Sequence, residues 1–187
     1  MSPLDHAVQI GAILDSLGIP WVLGGSMASS FVGEPRSTVD IDVAIQIRVD
    51  QVTALVDAVK RDYYVSEATV RHSLRGGSFN LIHFESNTKI DVFPLSDGLL
   101  DHRQISRRVR VSVGPGTELW IGAADDQLLR KLRWYPSGGE VSERQWRDVV
   151  SILRVQGDRI DRDALHEVAT ELGLVDLLRT AIAEADR

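Results

Sequence analysis

Two aspartates, Asp40 and Asp42, stand two positions apart in an apolar stretch and are the strongest candidates for chemistry in this sequence. The stretch 39–47 is rich in β-branched residues and alternates in polarity, which predicts a strand. Residues two apart on a strand point to the same face, so we expect the two carboxylates within a few ångströms of each other. Charges this close repel unless a cation lies between them, and oxygen ligands of this kind suit Mg²⁺. A water-facing pair at a strand start is the structural alternative, although aspartate is depleted in strands.

A glycine-rich turn, Gly24, Gly25 and Ser26, precedes this pair. It follows the apolar run 21–23 and leads into a short segment, 27–31, that could form a helix. Glycine leaves backbone N–H groups uncovered, and a helix N-terminus adds donors and partial positive charge. The three residues therefore predict a phosphate-binding turn. An ordinary turn explains them equally well when they are taken alone.

A third carboxylate, Asp91, lies in the short apolar stretch 89–93. The apolar stretch 79–84 precedes it, and the polar residues 85–88 between them predict a hairpin. Two metal ions that clamp an in-line phosphoryl displacement need such a further acid. We therefore expect Asp91 close to the first pair, with a partly exposed strand aspartate as the structural alternative.

The order of these elements resembles the nucleotidyltransferase superfamily, whose fold is that of the DNA polymerase β palm. The resemblance implies that Gly25 and Ser26 lie in the turn that holds a triphosphate. It also implies that Asp40, Asp42 and Asp91 hold two Mg²⁺ ions, with Mn²⁺ as a substitute. The expected fold is α/β (α+β), a small mixed sheet of the palm type flanked by helices, followed by a C-terminal helical part.

Two later segments, 129–132 and 143–149, resemble motifs of AbiEii-type nucleotidyltransferases, the enzymatic toxins of bacterial toxin–antitoxin pairs. A loop that bears glycine separates them. The resemblance spans about residues 20 to 155, and the chain is similar to a short member with a reduced C-terminal helical part. It implies that Lys131 contacts the phosphates of the nucleotide and that Asp148 supports this lysine or the acceptor. A surface ion pair is the structural alternative.

The length of 187 residues predicts one domain, or one domain with a small helical appendage. We expect a palm core over residues 1–115 and a C-terminal helical region over 116–187 that packs on it. Apolar residues at helical spacing predict several helices, most of them in the C-terminal third. Start signals for helices stand at Ser2 with Pro3, Asp50, Ser66, Ser142 and Asp161.

Composition limits the possible functions. The sequence contains no cysteine, which excludes disulfides, thiolate zinc sites and cysteine nucleophiles. Its histidines have no ligand spacing, so a zinc site is not expected. The net charge of −6 argues against strong nonspecific nucleic-acid binding, although basic residues outnumber acidic ones between residues 103 and 154. No apolar run approaches a membrane span and no secretion signal is present, so we expect a cytoplasmic protein without membrane contact.

The resemblance thus implies a Mg²⁺-dependent enzyme that moves a nucleoside monophosphate from an NTP to a hydroxyl acceptor, with tRNA or protein as the acceptor and an antitoxin as a protein partner. Arg36 and Lys131 are expected to join the Gly-Ser turn in binding the nucleotide. Two alternatives remain: a nucleotidyltransferase for a small molecule such as an antibiotic, and a catalytically silent nucleotide-binding module. Acids at all three positions argue against the silent module.

Overall fold

The computed structural model describes residues 1–137 and 139–187, and the side chains of residues 137 and 139–142 lie outside the described part. The chain divides into two compact units. The first contains Met1–Met27 and Ser37–Gly122, and the second contains Ala28–Arg36 and Ala123–Arg187.

The strands of the described residues all belong to the first unit and form one mixed sheet. They are β1 (Trp21–Leu23), β2 (Ile41–Ile45), β3 (Tyr63–Tyr64), β4 (Phe79–His83), β5 (Lys89–Pro94), β6 (Val109–Gly114) and β7 (Thr117–Ile121). Their order across the sheet is β3-β4-β5-β2-β1-β7-β6. Strand β2 runs parallel to β5 and β1 runs parallel to β7, whereas the other pairs are antiparallel. The sheet therefore has β2 near its centre, where four of its five residues are buried.

Four helices lie wholly in the first unit: α1 (Pro3–Ser16), α3 (Val52–Val59), α4 (Glu67–Ser73) and α5 (Leu99–Ser106). Helix α1 contacts β1 and β7, and α5 contacts β1. The apolar stripe of α1 explains this packing, because Ile10 and Leu14 are four positions apart and both are buried. The helix α2 (Gly25–Val32) begins in the first unit and ends in the second.

Helices make up most of the second unit, which confirms the predicted helical character of the C-terminal third. They are α6 (Ala124–Trp134), α7 (Gly139–Gln156), α8 (Arg162–Glu171) and α9 (Val175–Ala185). Helix α7 contacts both α6 and α9. A core of aliphatic side chains fills the space among these helices, including Leu128, Leu132, Val149, Ile152 and Leu178.

Three of the predicted helix starts are confirmed by their capping hydrogen bonds. Ser2 accepts from the Asp5 N–H in a capping box, Ser66 accepts from the Thr69 N–H, and Asp161 accepts from two N–H groups. These caps satisfy N–H groups that a helix leaves without a partner.

The predicted start at Asp50 is wrong. Asp50 lies inside a 3₁₀ turn (Val49–Gln51), and Gln51 is the N-cap of α3. The Arg48 guanidinium holds the Asp50 carboxylate at 3.0 and 2.9 Å, which keeps it from capping the helix. The predicted start at Ser142 is wrong as well, because α7 begins at Gly139; the Ser142 side chain lies outside the described part.

The predicted fold class, a mixed sheet flanked by helices with a helical C-terminal part, is confirmed. No helix within the described ranges 1–137 and 139–187 combines the length and the apolar character needed to cross a membrane.

Candidate active site

The pairing of β2 with β5 brings two of the predicted acids together. Asp42 and Asp91 are direct partners across these parallel strands. Partner residues on adjacent strands point to the same face, and the strands lie about 4.8 Å apart. The two carboxylates therefore lie side by side on the sheet, although 49 positions separate them in the sequence. Asp40 directly precedes β2, and its N–H donates to the Thr38 hydroxyl at 3.2 Å.

The glycine turn closes directly on Asp42. The Gly24 N–H donates to the Asp42 carbonyl oxygen at 2.7 Å. Gly25 begins α2 with a φ of +57°, and a Cβ added to it would overlap the Asp42 carboxylate. Only glycine meets both conditions without strain. The amino end of α2, which includes Ser26, therefore lies against the carboxylate of Asp42, which together with Asp91 forms an acidic cluster.

A lysine that the sequence analysis gave no role stands among these acids. The Lys89 Nζ lies 2.8 and 2.6 Å from the two carboxylate oxygens of Asp91. The hydrogen bond to Asp91 raises the pKa of Lys89, and the negative charges of Asp91, Asp40 and Asp42 add to this effect. Lys89 is therefore a cationic side chain held by Asp91, next to the strand that carries Asp42.

Asn80 also contacts this cluster. It is the partner of Asp91 on the antiparallel strand β4, and its side-chain amide donates to the Asp91 carboxylate. Asn80 and Lys89 thus hold Asp91 from two sides. The hairpin predicted over 79–93 contained the signal for this contact, but the strand register needed to find it is not visible in the sequence.

In the second unit, Asp148 on α7 forms ion pairs with two cationic side chains. The Arg36 guanidinium donates to its two carboxylate oxygens at 3.0 and 3.2 Å. The Lys131 Nζ on α6 donates to it at 2.7 Å and to the Gln145 side-chain oxygen at 3.2 Å. Lys131 and Asp148 expose only 7% and 8% of their side chains, whereas Arg36 exposes 31%. The pair is therefore buried, and the alternative of a surface ion pair does not hold.

The electrostatics of Asp148 follow from this arrangement. Burial alone would raise the pKa of the Asp148 carboxyl, because it disfavours the charged form. The hydrogen bonds from Arg36 and the charge of Lys131 outweigh burial, and the pKa is lowered. Asp148 is therefore an anion that fixes the positions of Arg36 and Lys131.

The predicted site residues thus form two groups. The residues that lie in the first unit are Gly24, Gly25, Ser26, Asp40, Asp42 and Asp91, of which Gly24, Gly25 and Asp91 adjoin Asp42. Arg36, Lys131 and Asp148 lie in the second unit and contact one another through Asp148.

The carboxylate oxygens of the acidic cluster are suitable ligands for a hard divalent cation. Asp42 and Asp91 are neighbours, and the cluster already attracts one cationic side chain. Among the described residues, however, no group of three or more His, Asp or Glu side chains has the arrangement of a complete metal site. Mg²⁺ itself is typically held by one or two carboxylates, with water and substrate phosphates as its other ligands.

Comparison with known proteins supports the fold. No protein-family model matches the sequence, and no curated protein is significantly similar to it. The crystal structure of an antigenic nucleotidyltransferase-like protein from Paracoccidioides brasiliensis aligns with 97% of this chain and 92% of its own, at a TM-score of 0.58 and 17% identity. The structure of ANT(2")-Ia in complex with adenylyl-2"-tobramycin aligns with 98% of this chain and 97% of its own, at a TM-score of 0.52 and 14% identity. At these identities the similarity establishes a shared fold, and the predicted nucleotidyltransferase-type fold is confirmed.

Proposed function

We propose that this protein is a nucleotidyltransferase that moves a nucleoside monophosphate from an NTP to a hydroxyl acceptor. One observation carries the proposal: a glycine turn at a helix N-terminus lies against Asp42, which has Asp91 as its direct neighbour on the next strand. A turn that can bind phosphates and carboxylates that can hold a divalent metal ion are two recurring parts of phosphoryl-transfer sites. The shared fold with nucleotidyltransferases is consistent with this arrangement.

The roles follow from the chemistry of each group. Gly25 and Ser26 would receive the phosphates through backbone N–H groups at the start of α2, and Gly24, whose own N–H donates to the Asp42 carbonyl oxygen, would hold the turn against β2. Asp40 and Asp42 would hold Mg²⁺, which when bound neutralises charge on the phosphates. Asp91, the partner of Asp42 across the two strands, would complete the metal site and accept the proton of the acceptor hydroxyl. The acceptor oxygen then bonds to the α-phosphorus, and the bond from this phosphorus to the departing pyrophosphate breaks.

Arg36 and Lys131 would supply positive charge to the phosphates of the nucleotide. Asp148 holds both cations through hydrogen bonds of 2.7 to 3.2 Å, so their positions are fixed before any ligand binds. Charged groups that are already in place lose little conformational freedom on binding, which favours affinity. Asp148 acts here as a positioning residue.

Two acceptor classes have support. The similarity of 129–132 and 143–149 to AbiEii-type toxins favours tRNA or protein, and the proposed toxin role and antitoxin partner depend on that resemblance. The fold shared with ANT(2")-Ia, whose structure contains adenylyl-2"-tobramycin, favours a small hydroxylated molecule.

The test is transfer of label from each α-³²P-labelled NTP, with Mg²⁺, to total tRNA, a protein extract or a panel of aminoglycosides. We expect label on one acceptor class with the native protein. Asp42→Asn should reduce transfer by about a thousandfold or more, because it removes a charge that acts on the reacting phosphates. Asp50→Asn, a change at an exposed carboxylate paired with Arg48, is the matched control and should leave transfer unchanged.

Either of two results would overturn the proposal. Full transfer by Asp42→Asn would remove the carboxylate group from the mechanism. Tight NTP binding without transfer to any of the three acceptor classes would identify a catalytically silent nucleotide-binding module.

A further inference from the structure

Lys89 lies beside the acidic cluster of Asp42 and Asp91, where its ammonium occupies a position in which a divalent metal ion could also bind. Its Nζ contacts both oxygens of the Asp91 carboxylate, at 2.8 and 2.6 Å. The neighbouring Asp42 is the direct partner of Asp91 across β2 and β5. A divalent ion bound by these carboxylates would lie close to the ammonium and would be repelled by it.

The exposure of the two partners shows that this contact can open. Lys89 exposes 56% of its side chain, whereas Asp91 exposes 21%. The lysine carries its charge at the end of a flexible chain, so the ammonium can move into water while Asp91 stays on its strand. Asn80, which also donates to Asp91, would hold the carboxylate in place after the lysine leaves.

We propose that Lys89 is a resident counter-cation of the acidic cluster, which neutralises Asp91 before the metal binds and must be displaced when it does. The inference rests on the proposed function in one respect, namely that these carboxylates bind the metal. Its consequence is that Lys89 weakens the affinity of the free protein for a divalent cation. The additional negative charge of NTP phosphates then favours loading of the metal together with the nucleotide.

The test is a titration of the nucleotide-free protein with Mn²⁺, followed by electron paramagnetic resonance of the unbound ion. Lys89→Met removes the charge and keeps the length of the side chain, and we expect about a tenfold lower dissociation constant because one repulsive charge is gone. Lys89→Gln is a second variant with the same expected direction. The matched control is Lys60→Met, because Lys60 forms an exposed 2.6 Å contact with Asp57 elsewhere in the first unit. Its dissociation constant should equal that of the native protein.

The location of the bound ion is checked with Asp42→Asn in both backgrounds. Loss of Mn²⁺ binding in Asp42→Asn and in the double variant Asp42→Asn/Lys89→Met would place the ion at the acidic cluster. Equal affinity in the native protein, Lys89→Met and Lys89→Gln would then overturn the counter-cation role and leave the metal site intact. Weaker binding in both Lys89 variants would also overturn it, since Lys89 would then be positioning Asp91 for the metal.

Failure of the proposed function gives a different result. If no variant binds Mn²⁺, or if binding survives Asp42→Asn, the carboxylates are not the metal site, and both proposals fall together. Unfolding curves of the Lys89 variants that match the native curve ensure that a change in affinity is not a folding defect.

Discussion

The ion pair between Lys131 and Asp148 allows a quantitative prediction about the second unit. Both side chains are more than nine-tenths buried, and their charged atoms are 2.7 Å apart. Removing one partner of such a pair leaves the other charge in a poorly solvated place, at a cost of about 3–5 kcal/mol. Asp148→Leu removes the carboxylate that both Lys131 and Arg36 contact. Because Arg36 exposes 31% of its side chain and can reach water, we expect a value near the lower limit, about 3 kcal/mol.

The reverse change should cost less. Lys131→Met leaves Asp148 with the two hydrogen bonds from Arg36, so we expect about 1 kcal/mol, the net value of one hydrogen bond. The double variant Lys131→Met/Asp148→Leu contains neither buried charge. It should lie within about 1 kcal/mol of the native protein, because apolar residues often replace a buried ion pair without net loss.

Urea unfolding, followed by tryptophan fluorescence and circular dichroism, measures these free energies. The control is Asp186→Leu, which breaks an exposed two-bond contact with Arg162 and should cost less than about 1 kcal/mol. Independent contributions would make the double variant about 4 kcal/mol less stable than the native protein, the sum of the two single changes. That additive result would refute the conclusion that Lys131 and Asp148 depend on each other for burial.

Two further predictions concern the first unit. Gly25→Ala should abolish label transfer. A φ of +57° is strained for alanine, and the added Cβ would overlap the Asp42 carboxylate, so the turn or the carboxylate must move. Gly114→Ala, in β6 of the same unit, is the control and should keep activity, since its Cβ would meet no atom within 4 Å; equal activity in both variants would contradict the assigned contact. The second prediction concerns His6, which is fully buried beside Tyr63, Ser86 and His83. Burial, followed by the nearby His83, lowers the pKa of His6. Between this lowered pKa and the unfolded value of about 6.5, the unfolded chain binds the additional proton, so the free energy of unfolding should fall as the pH drops below about 6.5. Unfolding of the native protein and His6→Gln at several pH values checks this, and an unchanged pH slope in the variant would contradict it.

The sequence indicated which residues of the first unit are candidates for chemistry, but not how these residues pair in space. Alternation on strands predicts that Asp40 and Asp42 share a face, because this depends only on local backbone period. The pairing of Asp42 with Asp91 depends on the register between β2 and β5, which tertiary packing sets. For the same reason the contacts of Lys89 and Asn80 with Asp91 could not be predicted, although all of these residues lie in predicted strands.

The short elements were the hardest to predict. Strand β7 has no counterpart in the prediction, because its sequence ends in the uninterrupted apolar run Leu119, Trp120 and Ile121, which hides the alternating burial of its residues. Helix α5 has a weak apolar stripe, with only Leu100 and Gln104 buried, and it was not predicted either. In the second unit, the segments that carry Lys131 and Asp148 resemble known motifs, but the contact of Arg36 with Asp148 joins residues 112 positions apart. Such a contact leaves no local pattern in one sequence.

Asp91 and Asp148 both bind a lysine, yet their surroundings differ in whether that lysine can leave. Lys89 exposes more than half of its side chain, so it can leave Asp91 for water at little cost. Lys131 exposes 7% and cannot leave Asp148 without carrying its charge through a packed interior. The Asp91 carboxylate can therefore exchange its lysine partner for an incoming cation, as its proposed metal-binding role requires. The carboxylate of Asp148 remains committed to Lys131 and Arg36, and we infer that its role is to fix these two cations.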